Sequence, residues 1–322
     1  MTKYKDIRGT HITTVTTDPP APVNGQMWYN STTRIMKGFT ENPAGAWSSG
    51  GDMNTNRFVP GGLGTRDASL ISGGVTNSNA LTANTELYNG STFSEQNNLN
   101  TARGAMAAGG TPSSGMNTGG QASPIQSAAS ESWNGSSWTN MPSLNAERRY
   151  LAGCIQTATA GIVHGGITPG STPGTGATEL YNGSSWSEVS DLNNPRRSHC
   201  GTGTSTAGLA FGGYDGTVAL YTETWNGSAW TEVNDLSGPA GLGGAFGTQT
   251  SAIVSQATTV QSWNGTVWTS GVSNSDSKSN RSGNGTTAAG MIAGGEPPGT
   301  AGVATTEEWA APATSTVTFT AS

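Results

Sequence analysis

The sequence predicts an all-β fold built from a repeated unit. Three observations predict it: the composition, an internal period of roughly 45 residues, and an Asn-Gly turn at a fixed place in each period. Only 33% of the 322 residues are hydrophobic and 11% are charged, while 48 are glycine. This composition excludes a helical bundle and suits short strands joined by tight turns. The glycines show no every-third period, which excludes collagen. Asn-Gly recurs at Asn89, Asn134, Asn182, Asn226 and Asn264, and neighbouring numbers differ by 45, 48, 44 and 38. Repeats of that length share one continuous core, so length alone does not dictate two domains.

Each element of the repeat has its own signal. Asn-Gly between two runs of alternating polar and apolar residues signals a hairpin with a type I′ turn, which needs positive φ at both central positions. Before the turn stands a strand such as "TELY" or "SESW", and three residues after its glycine comes an aromatic: Phe93, Trp138, Trp186, Trp230 or Trp268. These aromatics are expected to pack between neighbouring repeats. Arginines follow at Arg103, Arg149 and Arg197, and then strands ending in Gly-Gly at Gly119, Gly165 and Gly212. The same register finds Arg57 with Gly73 and Arg281 with Gly294. A further copy is degraded, with "SAIVSQ" where "GLAFGG" would stand. Six copies can thus be placed, and periods of this size mark the blades of a propeller.

A glutamate also recurs, at Glu86, Glu131, Glu179, Glu223 and Glu307. One carboxylate per repeat at one position is a structural feature, because asymmetric chemistry needs residues that break the repeat. The degraded copy has Gly241 where an arginine is expected and Gln261 where the glutamate is expected, so both partners are lost together. The sequence therefore predicts a buried or half-buried pair per intact repeat: Arg57 with Glu86, Arg103 with Glu131, Arg149 with Glu179, Arg197 with Glu223 and Arg281 with Glu307. Losing one partner alone would leave an uncompensated charge.

The chain ends suggest how the last sheet is completed. No aromatic follows Trp309 in the outer-strand slot, whereas Trp47 fills that slot with no repeat of its own. Placing the Trp47 strand beside Trp309 gives six blades. The alternative is a seventh, built from the amino-terminal hairpin and the final "STVTFT".

In this order the residues resemble the kelch repeat: Gly-Gly ending the second strand, an aromatic before a turn, a Trp on the outer strand and an Arg leading onward. The resemblance covers roughly residues 47–310 and implies a β-propeller of four-stranded blades. Tyr-Asn or Trp-Asn replaces the family's frequent Tyr-Asp before the turn, a change that left-handed turn positions tolerate.

Other motifs carry blander readings. The Asn-Gly-Ser/Thr array matches glycosylation acceptors, but the turn itself demands it. "YNGSSW" is similar to the Asp-box of sialidase propellers, yet Tyr181 stands in place of the aspartate. His164 fills a variable strand slot. His199 beside Cys200 offers a Cys-His pair without a third group. "GTGTST" from Gly201 fails the dinucleotide fingerprint. Cys154 and Cys200 allow at most one disulfide and lack metal-ligand spacing. No catalytic, metal or cofactor set emerges, so the expectation is a non-enzymatic protein without cofactor. The net charge of −6 gives no basic face for nucleic acid, and no segment reads as a signal peptide or membrane span.

Residues 18–47 differ in texture. "QMWYN" and "RIMKGF" read as a hairpin across "STT". The run Gly-Gln-Met-Trp-Tyr-Asn, then a Lys-bearing strand and Gly-Xaa-Trp, resembles short modules of tailed-phage fibre and virion proteins, and "TELYNGS" and "NLNTAR" resemble kelch-like proteins of marine phages. The resemblance implies a virion location, attachment to other virion proteins through residues 1–46, an oligomeric state in the particle, and a propeller over 47–310 followed by a strand or tail over 311–322. It also implies a host-receptor role toward a surface glycan or protein; the alternatives are a purely structural capsid or tail decoration, and a carbohydrate-active propeller enzyme. Binding is expected first in the loops after Gly-Gly, at Tyr214 and Asp215, and next in the longer loop over residues 167–177.

Overall fold

The structure is a computed structural model, and it describes residues 12–319 apart from 24, 43, 44, 124, 276 and 300. Among the described residues every regular element is a strand. They fall into two compact units: Trp47–Trp309, and the amino-terminal residues up to Ala46 together with those from Ala310 onward.

In the smaller unit, Met27–Asn30 pairs antiparallel with Ile35–Asn42, which pairs with Ala313–Phe319; Thr13–Val15 lies parallel on the other edge. The hairpin expected around "STT" and the final strand therefore share one sheet. Asp18 ties the loop to it, accepting from Lys37 Nζ at 2.5 Å and from Trp28 Nε1 and Asn30 Nδ2 at 2.9 Å. These donors, Lys37 first, hold its carboxyl down at about 2.

The larger unit is propeller-like: six four-stranded sheets, each with its strands in sequence order apart from the last. The first runs Gly61–Thr65, Ala68–Ser72, Thr85–Tyr88, Phe93–Gln96, and the next four repeat the pattern from Ala107, Ala152, Cys200 and Gly244. In the sixth, Ser282–Gly285, Ala289–Ala293 and Thr306–Ala310 are joined by Ala46–Ser49 as the outermost strand. Trp47 packs there on Trp309, ring centroids 5.4 Å apart, and donates Nε1–H to the Val272 carbonyl at 2.9 Å.

Burial follows strand position. In the first four sheets the second strands are almost wholly buried, the third buried except at one position, and the fourth buried in full only at the leading aromatic. Six apolar clusters fill the gaps between neighbouring sheets. Leu63 and Leu70 of the first meet Trp133 and Trp138 of the second, and so on around, until Met291 and Ala293 of the sixth meet Tyr88 and Phe93 of the first. The recurring outer-strand aromatics are thus inter-sheet packing. Each also faces the aromatic across its turn, as Trp133 faces Trp138 at 5.3 Å.

The turn differs from the expected type I′. The aromatic pair brackets four residues, and only the glycine has positive φ, 91° at Gly90. Asn89 Oδ1 instead accepts from Ser91 N and Thr92 N at 3.0 and 2.9 Å, and Asn134, Asn182, Asn226 and Asn264 do the same. The asparagine is used for its side-chain acceptor, closing an Asx turn, rather than for left-handed backbone. Gly-Gly is steric: Gly73 and Gly74 have φ of 62° and 108°, and a Cβ on Gly73 would lie 2.3 Å from the Arg103 carbonyl of the next sheet. That same carbonyl accepts from Gly74 N at 2.8 Å.

Among the described residues five buried ion pairs link arginine and glutamate, with two corrections to the expected partners. Arg57–Glu86 (2.6 Å), Arg103–Glu131 (2.9 Å) and Arg281–Glu307 (3.4 Å) form as expected. Glu179 and Glu223, however, are held by Arg148 and Arg196, not by Arg149 and Arg197. The pairing arginine stands four residues before the first strand of its sheet, at Arg57, Arg103, Arg148 and Arg196. In a doubled Arg-Arg only the first meets that register. Each glutamate also accepts backbone amides from the preceding linker, as Glu131 does from Asn100 N at 2.7 Å. Burial pushes the Arg57, Arg103 and Arg148 guanidinium groups below their usual range, and the paired carboxylates oppose the shift. In the sixth sheet Lys278 holds the register position, bonding Thr305 Oγ1 at 2.5 Å, and Arg281 reaches Glu307 from three residues on. In the fifth, Gln261 replaces the glutamate, accepting from Ser237 N at 2.9 Å and donating to the Gly238 carbonyl at 3.0 Å.

Candidate binding site

Two residues after each register position the chain turns left-handed. Val59, Ala105, Tyr150, Ser198, Leu242 and Asn280 have φ between 46° and 59°, a conformation that costs a non-glycine residue about 1–3 kcal/mol. Their backbones bond head to tail: Ala105 N to Val59 O at 3.0 Å, Tyr150 to Ala105 at 2.8 Å, Ser198 to Tyr150 at 2.9 Å, Leu242 to Ser198 at 2.7 Å, Asn280 to Leu242 at 2.8 Å and Val59 to Asn280 at 2.8 Å. This cycle of six holds the strained residues in place. No residue type marks it, so sequence reasoning missed it.

Beside the cycle lies a recess of about 420 Å³, lined by Phe58, Tyr150, Arg197, Tyr214, Gln256 and Glu296 among others. Its location follows from loop lengths. The link from second to third strand spans 73–84, 119–129, 165–177, 212–221 and 294–305 in five sheets, but only Ala257–Thr258 in the fifth. The walls come from the flanking loops, through Tyr214 and Val218 of the fourth sheet and Glu296 of the sixth, and Gln256 is the last residue of the strand before the short link. The spacing of 38 after Asn226 was the sequence signal for this shortening.

Of the two expected binding residues, Tyr214 lines the recess and is 37% exposed. Asp215 does not line it: its Oδ1 accepts from Thr217 N and Oγ1, each at 3.0 Å, closing a local turn, and these bonds, the Thr217 amide first, lower its carboxyl. The loop over 167–177 is absent from the lining as well. Arg197, freed from the expected ion pair, lies half-buried with its guanidinium 5.0 Å from the centroid of the Tyr214 ring. Gln256 buries Oε1 without a protein partner, and Glu296 accepts from Asn280 Nδ2.

A second cluster breaks the repeat. His164 Nδ1 and His199 Nε2 are 2.8 Å apart, and Cys154 Sγ is 3.6 Å from His164 Nε2. Both imidazoles are buried and held neutral, their basicity pushed well below the usual range first by desolvation, then by Arg196 and Arg148 at His164 and by His164 and Arg196 at His199. Cys154 and Cys200 are free and buried, their thiols pushed up to about 12 by desolvation. Cys200 directs its sulfur to the Gly243 carbonyl at 3.4 Å, so the sequence neighbours His199 and Cys200 form no nucleophilic pair. Neutral buried thiols are inert. Among the described residues no three metal-ligating groups converge, and no helix is long and apolar enough to cross a membrane. Compared with family models and with curated proteins, the sequence matches none.

Proposed function

We propose that the chain is a six-bladed, kelch-like β-propeller serving as a non-enzymatic surface protein of a tailed-phage virion, present in several copies per particle. It is attached to other virion proteins through residues 1–46 and offers the recess beside its fifth blade to a glycan or protein of the host surface. Six sheets, six inter-sheet cores and a six-membered backbone cycle support the blade number. The virion placement rests on the resemblance of the amino-terminal hairpin and the repeat wording to phage proteins. The observation that carries binding is the recess itself, opened where one repeat has lost its loop and lined by aromatic and charged groups. Pockets of this size and mixed lining are the usual form of ligand sites.

The lining favours binding over hydrolysis. Among the described residues Glu296 is its only carboxylate, whereas glycoside hydrolysis ordinarily uses a pair of them across the scissile bond. Mass spectrometry of purified particles tests the placement: the chain should be found at stoichiometric abundance, and its absence would refute the reading. Pre-incubating host cells with soluble protein should block particle adsorption; unimpaired adsorption would leave no receptor role.

A further inference from the structure

We propose, building on the binding role above, that the recess takes a carboxylated sugar with its carboxylate on the Arg197 guanidinium. Among the described residues Arg197 is the odd arginine of its unit. Five arginines sit on the buried glutamates, Arg66 sits on Asp67, and Arg149 donates to Gln121 Oε1 at 3.0 Å. Among the described residues Arg197 has no such partner, only the ring of Tyr214. A guanidinium lying over an aromatic face keeps its N–H groups free, and that fork matches a carboxylate bidentately.

The rest of the lining suits sugar hydroxyls. Because Oε1 of Gln256 is buried, its amide nitrogen, which has no protein partner, is the accessible end and donates. Glu296 has one oxygen on Asn280 Nδ2 and keeps the other to accept. Arg197 and Glu296 thus line one recess as unpaired opposite charges. Repulsion from Glu296 directs a ligand carboxylate toward Arg197 and leaves hydroxyls for itself. Tyr150, Tyr214 and Phe58 supply apolar surface for a ring face, and about 420 Å³ accommodates one or two sugar rings. A neutral sugar would leave the guanidinium unpaired in a partly desolvated site.

The test titrates the full chain with matched disaccharides ending in glucuronate, glucose or glucose 6-phosphate, followed by NMR. Glucuronate should bind at least tenfold more tightly than glucose and more tightly than the phosphate. Arg197→Ala should erase that preference, and Arg149→Ala, the same residue one repeat earlier but outside the recess, should keep it. Thermal melts check folding. If Arg197→Ala fails to fold, Gln256→Ala should still weaken all sugars severalfold, and added salt should weaken glucuronate but not glucose. Equal binding of glucuronate and glucose, tighter binding of the phosphate, or no binding of any sugar overturns the proposal. A chain that is found in particles and blocks adsorption while binding none of the three loses this ligand class but keeps its receptor role.

Discussion

Arg148 and Arg149 stand side by side and do unrelated things. The first is buried against Glu179; the second is half-buried over Tyr150, 5.4 Å from its ring centroid. Removing one partner of a buried pair leaves an uncompensated charge, so Arg148→Ala should cost about 3–5 kcal/mol in urea unfolding, while Arg149→Ala should cost about 1 kcal/mol or less. Equal costs would mean that the register four residues before the strand does not select the paired arginine. The histidines make a second prediction. His164 and His199 are neutral in the fold with basicity pushed well down, and Arg148 and Arg196 face them as like charges. The unfolded chain takes up these protons below about pH 6.5, so their contribution is intact above that value and is lost as pH falls below it. The two together should lower stability by about 2.7 kcal/mol per pH unit. Replacing His164 by Phe, the residue at the same position in the fourth sheet, should flatten that dependence by about half; an unchanged slope would show that the imidazoles are not the groups titrating.

At the scale of strands and turns, the sixth sheet is the informative one, because its outer strand comes from Ala46–Ser49. Trp47→Ala would strip cover from Trp309 and Phe246, whose rings lie 5.4 and 6.2 Å from it. Full burial of a tryptophan sets the cost of truncation at about 3–5 kcal/mol, and half-burial puts this one at about 2–3 kcal/mol; a loss under about 0.5 kcal/mol would show that this strand does not hold the sheet. Strands and hairpins were legible because they rest on repeated residue types in a fixed order: Gly-Gly where a neighbour's carbonyl leaves no room for Cβ, and Trp where two sheets meet. Turn geometry was not, since Asn-Gly serves both a type I′ turn and the observed Asx turn, and only the loop length separates them. The choice between adjacent arginines failed for a similar reason. Their spacing to Gly-Gly is nearly the same, and the deciding distance runs to a strand start that no residue type marks.

For the whole molecule, the six left-handed residues Val59, Ala105, Tyr150, Ser198, Leu242 and Asn280 share no chemistry, so the cycle they form is invisible until the sheets are placed together. The candidate site has the same character. Tyr214 could be singled out from its loop, but Arg197, Gln256 and Glu296 come from three different repeats and meet only because one loop is missing. The shortened link, with the recess beside it, is what sets the fifth sheet apart from the other five. The most direct measurement restores the loop. Replacing Ala257–Thr258 by the fourth sheet's connection, residues 212–221, fills the space above Gln256 without touching any buried pair. Soluble wild-type chain should block particle adsorption to host cells, and the loop-restored variant, with an unchanged melting temperature, should not. A folded variant that blocks adsorption as well as wild type would contradict a binding role for the recess.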